Sequence, residues 1–513
     1  MKNQNLILNI NQNKKKDRIR IIEALADDND SDHLNGHNAL RLPQTLKSIL
    51  KRLKQIDFYQ KANLGIGEKL ERKHYLIITV EEILSVATQN KYGLCLINKQ
   101  AYVFNGEYWE KVPVAELENF LGLAALKLGV KWGDAKHFNF RNDLIKQFFS
   151  TAILPIPERK RNEVLLNLNN GTFVITPELQ YLKAHDADDF LKYKLEFNYD
   201  PNATAPLFQS YLDRVLPDKQ LHMILAEYLG YIFIPASLLK LEKSMILYGT
   251  GANGKSVFFE IVFALYGKEN VSNFSLQSLT NESGYSRAKL LDMLLNYATE
   301  ISQKVESPAF KQLVSLEPIE CRLPYGEPFI LTDYAKLIFN CNELPIANET
   351  TDAFYRRFLI IPFNEVIPES ERDPQLARKI ITTELPGIFN WVLEGLDRLL
   401  QQKKITSSAA VNEMLNAYKQ QSDSVKLFLS EEGYQPDNQS EMPLKVIYDR
   451  FKNFCKEGLY PTISNAKFSK KLKEMGYVAE RKRNGFVIRA SQKVFVEPAS
   501  PASTTFTSAV QQV

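Results

Sequence analysis

Eight consecutive residues, Gly249-Thr250-Gly251-Ala252-Asn253-Gly254-Lys255-Ser256, carry the clearest chemistry in this chain. Glycines at three of the first six positions let a backbone fold tightly and aim its N–H groups at one point, which is how a loop grips phosphate oxygens. Lys255 then supplies a cation for β- and γ-phosphates, and the hydroxyl of Ser256 is a ligand for Mg²⁺. The context is also right. An apolar, strand-like run from Met245 to Tyr248 precedes the loop and a helical run from Val257 to Tyr266 follows it, so the helix N-terminus adds positive partial charge. These residues predict a site for a nucleoside triphosphate, with ATP and Mg²⁺ as the expected cofactors.

A phosphate loop does not say what the phosphate energy drives; residues further along must. Leu294 to Glu300 reads as a strand closing on a carboxylate, and Glu300 is the candidate to orient an attacking water and, partly through water, to hold the metal. Thr299 precedes it, so there is no second acid, and the metal would lean more on Ser256 and solvent. A strand from Ala335 to Phe339 ends in Asn340-Cys341-Asn342, where an amide can touch both a γ-phosphate and a water. Asn342 is the first choice and Asn340 is close enough to compete. Arg356 and Arg357 precede a third apolar strand, Leu359 to Ile361, and either could reach a neighbouring subunit's phosphate as an arginine finger.

The elements that must position these groups belong to a folded chain of several domains. At 513 residues it exceeds one core of roughly 100–200 residues. Its 44% apolar and 24% charged residues exclude wholesale disorder, and no apolar run is long enough to span a membrane. The net charge of +4 is mild, so affinity for nucleic acid must come from local clusters. Cys95, Cys321, Cys341 and Cys455 are widely spaced, which excludes a zinc module or dense disulfide framework and fits a reducing, cytoplasmic setting.

Composition divides the chain into five parts. Residues 1–45 read as a polar leader with a basic cluster at Lys14, Lys15, Lys16, Arg18 and Arg20. Residues 46–206 read as an α+β region, with a hairpin at Leu94–Ile97 and Ala101–Phe104, an Asn105-Gly106 turn, and another turn at Asn169-Asn170-Gly171. Tyr108 and Trp109 are expected in a small sheet's core, and Asp186, Asp188 and Asp189 as a solvated run. In 207–422 apolar strands alternate with helices, the order of a parallel sheet covered by helices, flanked by helical stretches at Leu207 to Ile234 and Asp373 to Lys419. Residues 423–490 form a separate block, and 491–513 a Pro-, Ala-, Ser- and Thr-rich tail.

The block at 423–490 carries its own cations. Leu444, Ile447, Phe451 and Phe454 mark an amphipathic helix, and a second helix from Ser464, its N-cap, to Met475 bears Lys467, Lys470, Lys471 and Lys473. Val478–Glu480 and Phe486–Ile488 then flank Arg481, Lys482 and Arg483 at a hairpin tip. Helix, helix and hairpin make a winged helix whose lysines and wing suit contacts to DNA phosphates.

Taken in order, Gly251–Ser256, Ala298–Ser302, Tyr325–Phe329, Asn342–Pro345 and Arg356–Phe358 resemble superfamily 3 helicases. The likeness is to the helicase regions of phage and plasmid primases and of the poxvirus primase-helicase, over about Leu94 to Ala490. It implies an α/β, AAA+-like P-loop core, preceded by an α+β domain and followed by a winged helix. It implies an ATP-driven, usually hexameric ring that translocates 3′ to 5′ on single-stranded or forked DNA. The setting would be replication of a phage, plasmid or integrated element in the cytoplasm of a bacterial host, alongside a separate primase or initiator. Carried over, Lys255 and Ser256 hold ATP and Mg²⁺, Glu300 activates water, Asn342 senses the γ-phosphate, and Arg357 is the finger with Arg356 second. A hairpin between Ile319 and Leu331, with Arg322, Tyr325 and a turn at Gly326, would grip a strand in the ring's channel, with Lys311 adding a cation. The residues before the resembling region are too few and too polar for a primase, so no primer synthesis is expected. An origin-binding initiator, switched by ATP but unwinding nothing, stays open; a small-molecule kinase explains neither the arginines nor the winged helix.

Overall fold

The computed structural model describes residues 42–492, except 66, 98–99, 154–162, 177–178, 300, 302–303, 306, 348–350, 459, 461 and 484. The leader's basic cluster and the tail beyond 492 lie outside them. From Gln44 to Thr151 the chain is mainly helical, with long helices at Arg72–Gln89, Val114–Leu128 and Phe138–Thr151. Phe140, Leu144 and Phe148 recur at every fourth position of the last helix, so they share one stripe and are buried. Against these helices lies an antiparallel sheet, β1 (Leu94–Ile97), β2 (Gln100–Phe104) and β3 (Trp109–Val112), in the order β1-β2-β3. Trp109 is buried as expected, its Nε1 donating to the Ala187 carbonyl at 2.8 Å.

A second antiparallel sheet, β4 (Val164–Leu168), β5 (Gly171–Ile175) and β6 (Gln180–Lys183), turns at Asn169-Asn170 between its first two strands. Val164, Leu166 and Phe173 share one core with the helices Pro206–Val215 and Lys219–Ile232, so packing is continuous across residue 206. The acidic run departs from the solvated expectation at one position. Asp186 and Asp188 are exposed, but Asp189 is largely buried and paired with Lys183 at 2.5 Å. The single helical stretch expected at Leu207 to Ile234 is two helices. Pro217 cannot donate within a helix and disfavours helical backbone before it, and Asp218 restarts the second helix by accepting from Gln220 N at 2.8 Å.

The central sheet comprises β7 (Ser244–Tyr248), β8 (Val271–Ser272), β9 (Leu295–Ala298), β13 (Lys336–Cys341) and β15 (Phe358–Pro362), in the spatial order β15-β7-β13-β9-β8. Every pairing in it is parallel. Strands buried on both faces need unbroken apolar runs, which β7 and β15 supply. Between β9 and β13 lie β10 (Lys304–Val305), which pairs with β14 (Ile346–Ala347), and an antiparallel hairpin of β11 (Ile319–Cys321) and β12 (Phe329–Leu331). After β7 the chain builds strands on one side, then crosses to add β15 on the other. That reversal opens a crevice beyond the carboxyl end of β7, where open α/β sheets bind ligands. The helix Leu376–Gln402 closes one flank and crosses Lys219–Ile232 closely. A Cβ on Gly395 would lie 2.4 Å from the Ala226 carbonyl carbon.

The last unit has its own core, built on Val425, Phe428, Phe451, Phe468 and Ile488. Helices Ser424–Glu431, Leu444–Glu457 and Asn465–Glu474 pack with an antiparallel sheet of β16 (Tyr434–Pro443), β17 (Val478–Lys482) and β18 (Gly485–Gln492), ordered β16-β18-β17. Ser464 caps the Asn465–Glu474 helix as expected. The strand β16 was not legible in the sequence, because its mostly polar residues leave only Tyr434 fully buried.

Candidate functional site

The glycine-rich loop begins where β7 ends. Gly249 N donates to the Cys341 carbonyl at 3.1 Å, which ties the loop to the end of β13. Glycine is required there by space, since a Cβ would sit 2.4 Å from Asn253 Nδ2 and 2.5 Å from the Phe363 carbonyl. Gly251, Ala252 and Gly254 all take left-handed φ values, which fold the loop tightly. Lys255 is the first residue of the helix Lys255–Tyr266 and is buried. Its Nζ donates to the Gly249 carbonyl at 2.6 Å and to Asn253 Oδ1 at 2.8 Å, while Asn253 Nδ2 donates to the Phe363 carbonyl at 2.8 Å. Both acceptors of the ammonium are neutral, and burial lowers its pKa. A buried cation without a compensating anion favours one strongly, so the loop fits a phosphate chain. Ser256 is exposed beside it and fits a metal ligand. Among the described residues no cluster of three or more His, Cys, Asp or Glu forms a metal site.

The two asparagines at the end of β13 separate by burial. Asn340 Oδ1 accepts from the buried Tyr297 hydroxyl at 2.9 Å, which locks it into the core. Asn342 is exposed just beyond Cys341, beside the start of the glycine loop, and is the amide available to a ligand. Strand β9 ends at Ala298, opposite Phe339, at the same end of the sheet. Glu300, the expected base and metal ligand, lies outside the described residues.

The arginines lie at the opposite, amino ends of the strands. Phe358 pairs with Ser244 at the start of β7, whereas Gly249 lies five residues on, about 16 Å away along the strand. Neither Arg356 nor Arg357 can span that distance to the loop of its own chain. The first choice for the finger, Arg357, is buried; its Nη2 donates to Ser315 Oγ at 3.1 Å and lies 3.7 Å from Glu242 Oε2. Arg356 is the projecting one. Its side chain is 62% exposed and meets Glu242 at 3.2 Å.

Residues 82–217 match the family model described as "D5 N terminal like", and residues 247–357 match a family of unknown function, DUF5906. The second match runs from β7 through the glycine loop to Arg357. A curated relative, named "Putative helicase 121R" from Invertebrate iridescent virus 3, is 23% identical over 332 residues. That alignment covers 57% of this chain but 35% of the relative, so the chain spans about a third of the relative's length. The chain is thus similar to a putative viral helicase and to D5-type N-terminal regions. Two solved apo structures of the NrS-1 C-terminal region are also similar, with TM-scores of 0.45 and 0.46 and identities of 13% and 11%. They cover 82% and 81% of this chain and 99% and 98% of their own.

The residues expected to meet nucleic acid fall in two places. On the β11–β12 hairpin, Tyr325 is fully exposed at the tip and takes a left-handed φ. Arg322 lies with its guanidinium 5.2 Å from the Tyr285 ring centroid. Lys311 is half-buried on the preceding helix, Ser307–Val314. On the last unit, Lys467, Lys470 and Lys473 are exposed on the helix Asn465–Glu474, and Arg481 and Arg483 are exposed on the β17–β18 hairpin. Several of the expected contacts have other partners, Lys470 among them, 3.9 Å from Glu474. Lys471 is held by Asp423 at 2.7 Å, the residue that also caps the helix Ser424–Glu431, and Lys482 is paired with Glu441.

Sequence reasoning missed the residues that brace the loop. Tyr211 donates its hydroxyl to the Gly254 carbonyl at 2.9 Å, and Ile367 N donates to the Ala252 carbonyl at 2.8 Å. Nothing local to those residues signals this, because both lie far from the loop in sequence. The bridging role of Asn253 had one signal: it is the loop's only side chain that can donate and accept at once through an amide.

Proposed function

We propose that this chain is the ATP-driven motor of a replicative DNA helicase, with an AAA+-like P-loop core and a C-terminal winged helix. The observation that carries the proposal is the separation of the phosphate-binding groups from the arginines along the central strands. Lys255, Ser256 and Asn342 gather at the carboxyl ends, with Arg356 and Arg357 at the amino ends. A site so divided is completed by a neighbouring copy, as in a ring, and the hexamer is the form we propose. ATP sits in the glycine loop with its phosphates on the backbone N–H groups and Lys255; Ser256 would hold Mg²⁺, which would supply charge neutralisation at the phosphates. Asn342 orients the γ-phosphate and its attacking water, and Glu300 accepts the water's proton. A neighbour's arginine stabilises charge developing in the transition state. The β11–β12 hairpin and the exposed cations of the winged helix engage a DNA strand, translocation runs 3′ to 5′, and the substrate is replicating DNA of a phage, plasmid or integrated element.

Subunit mixing tests the shared site. Lys255→Ala and an arginine variant are each expected to lose hydrolysis, and mixing them is expected to restore part of it, because some interfaces then pair an intact loop with an intact arginine. Arg356→Ala and Arg357→Ala should each be mixed in turn; the finger is the one whose mixture recovers. If neither mixture recovers although all three variants assemble, the shared site is wrong.

A further inference from the structure

We propose a second single-strand binding surface, remote from the central sheet, at Trp132 and Phe138 in the N-terminal helical unit. It rests on the reading that the chain works on DNA. The short helix Trp132–Lys136 runs through His137 directly into the helix Phe138–Thr151. Trp132 is 53% exposed and Phe138 63% exposed. Core packing does not explain them: Phe138 lies about 200° around its helix from Phe140, on the face opposite the buried stripe. Each ring is backed by a neighbour. Lys136 Nζ lies 4.9 Å from the Trp132 ring centroid, and the His137 ring stacks on Phe138 at 4.9 Å with 25° between planes. A ring supported on one face and open on the other is a ready platform for a base, and every base offers such a face whatever the sequence.

The surrounding charge selects a polyanion. Lys131 and Lys136 are exposed beside the rings, and Asp134 is the only acid between Val130 and Asn139. Ile56 N donates to the Leu128 carbonyl at 3.1 Å, which brings the loop bearing the exposed Lys54 to the same end of the unit. Aromatic faces interleaved with cations are the chemistry of sequence-tolerant single-strand binding. A protein partner would be met by apolar area without the flanking lysines.

The test uses the full chain carrying Lys255→Ala, without nucleotide, so that retention of DNA is separated from turnover. Binding of labelled oligo-dT is followed by anisotropy at two salt concentrations. Trp132→Ala/Phe138→Ala is expected to weaken binding about tenfold or more, whereas Trp132→Phe, which still stacks, stays within about twofold. Lys131→Glu/Lys136→Glu should weaken binding and flatten its salt dependence. In a Lys255-intact chain, DNA-free ATP hydrolysis by the aromatic variant should match the wild type, which reports folding. Unchanged affinity in the alanine variant overturns the proposal. So does a change in oligomer size without a change in affinity, which would assign the rings to a protein contact. Failure of the motor reading shows separately, as an absence of ATP hydrolysis by the wild type.

Discussion

Lys255 cannot be understood apart from Asn253. The amide joins the ammonium to the Phe363 carbonyl just beyond β15, so the cation's position depends on a strand distant in sequence. Asn253→Ala should leave the fold intact but reduce kcat about tenfold or more, the effect of losing a hydrogen bond to a charged group; steady-state hydrolysis measures it. The neighbouring thiol makes a different prediction. Burial pushes Cys341, and likewise Cys95, from an ordinary 9.0 up to about 12. A raised folded-state pKa contributes stability that is complete below the unfolded value and disappears as pH climbs towards the folded one. Denaturant midpoints should therefore fall between pH 9 and 12, and Cys341→Ala should fall less steeply. The residue chemistry was the most legible level in the sequence. The glycine loop announces itself by spacing, whereas the burial that separates Asn340 from Asn342 was not legible there. The exposure of Arg356 and the burial of Arg357 could not be read, because Ser315 and Glu242 come from other parts of the chain.

At the scale of elements, the helices framing the glycine loop are fixed by charged groups meeting bare helix ends. Glu384, buried within the helix Leu376–Gln402, accepts from Leu207 N at 2.9 Å and Phe208 N at 2.8 Å, which satisfies two otherwise orphaned donors at the start of Pro206–Val215. Tyr211 of that helix braces Gly254, so the cap supports the loop. Glu384→Ala should cost about 1–3 kcal/mol of stability, seen as a lower unfolding midpoint. In the last unit, Lys471 and its neighbours should behave oppositely. Lys471→Ala removes the pairing with Asp423 and should lower stability with little change in DNA affinity. Lys467→Ala/Lys470→Ala/Lys473→Ala should lower DNA affinity and reduce the salt slope by about 0.9 for each phosphate no longer neutralised, with stability nearly unchanged. Helix periodicity and turn residues made most of these elements visible in advance. Strand β16 escaped because its alternation is polar on both faces, whereas the break at Pro217, followed by polar Asp218-Lys219-Gln220, was legible but read through.

Across the whole molecule, the strand order β15-β7-β13-β9-β8 matters more than any one residue. It puts the glycine loop at a switch point, while the arginines lie about 16 Å away at the amino ends of the strands, a division that the proposed ring would bridge. Alternation of strands with helices pointed to a parallel sheet; the order of strands was beyond reach, because periodicity fixes which face is buried and not which strand is next. Displacement of a labelled strand from a forked duplex tests the central claim most directly, with wild type and Lys255→Ala compared with and without ATP and Mg²⁺. The wild type is expected to release the strand only when ATP is hydrolysed, and Lys255→Ala to release none. DNA-stimulated hydrolysis without displacement would contradict the account and point instead to an ATP-switched initiator.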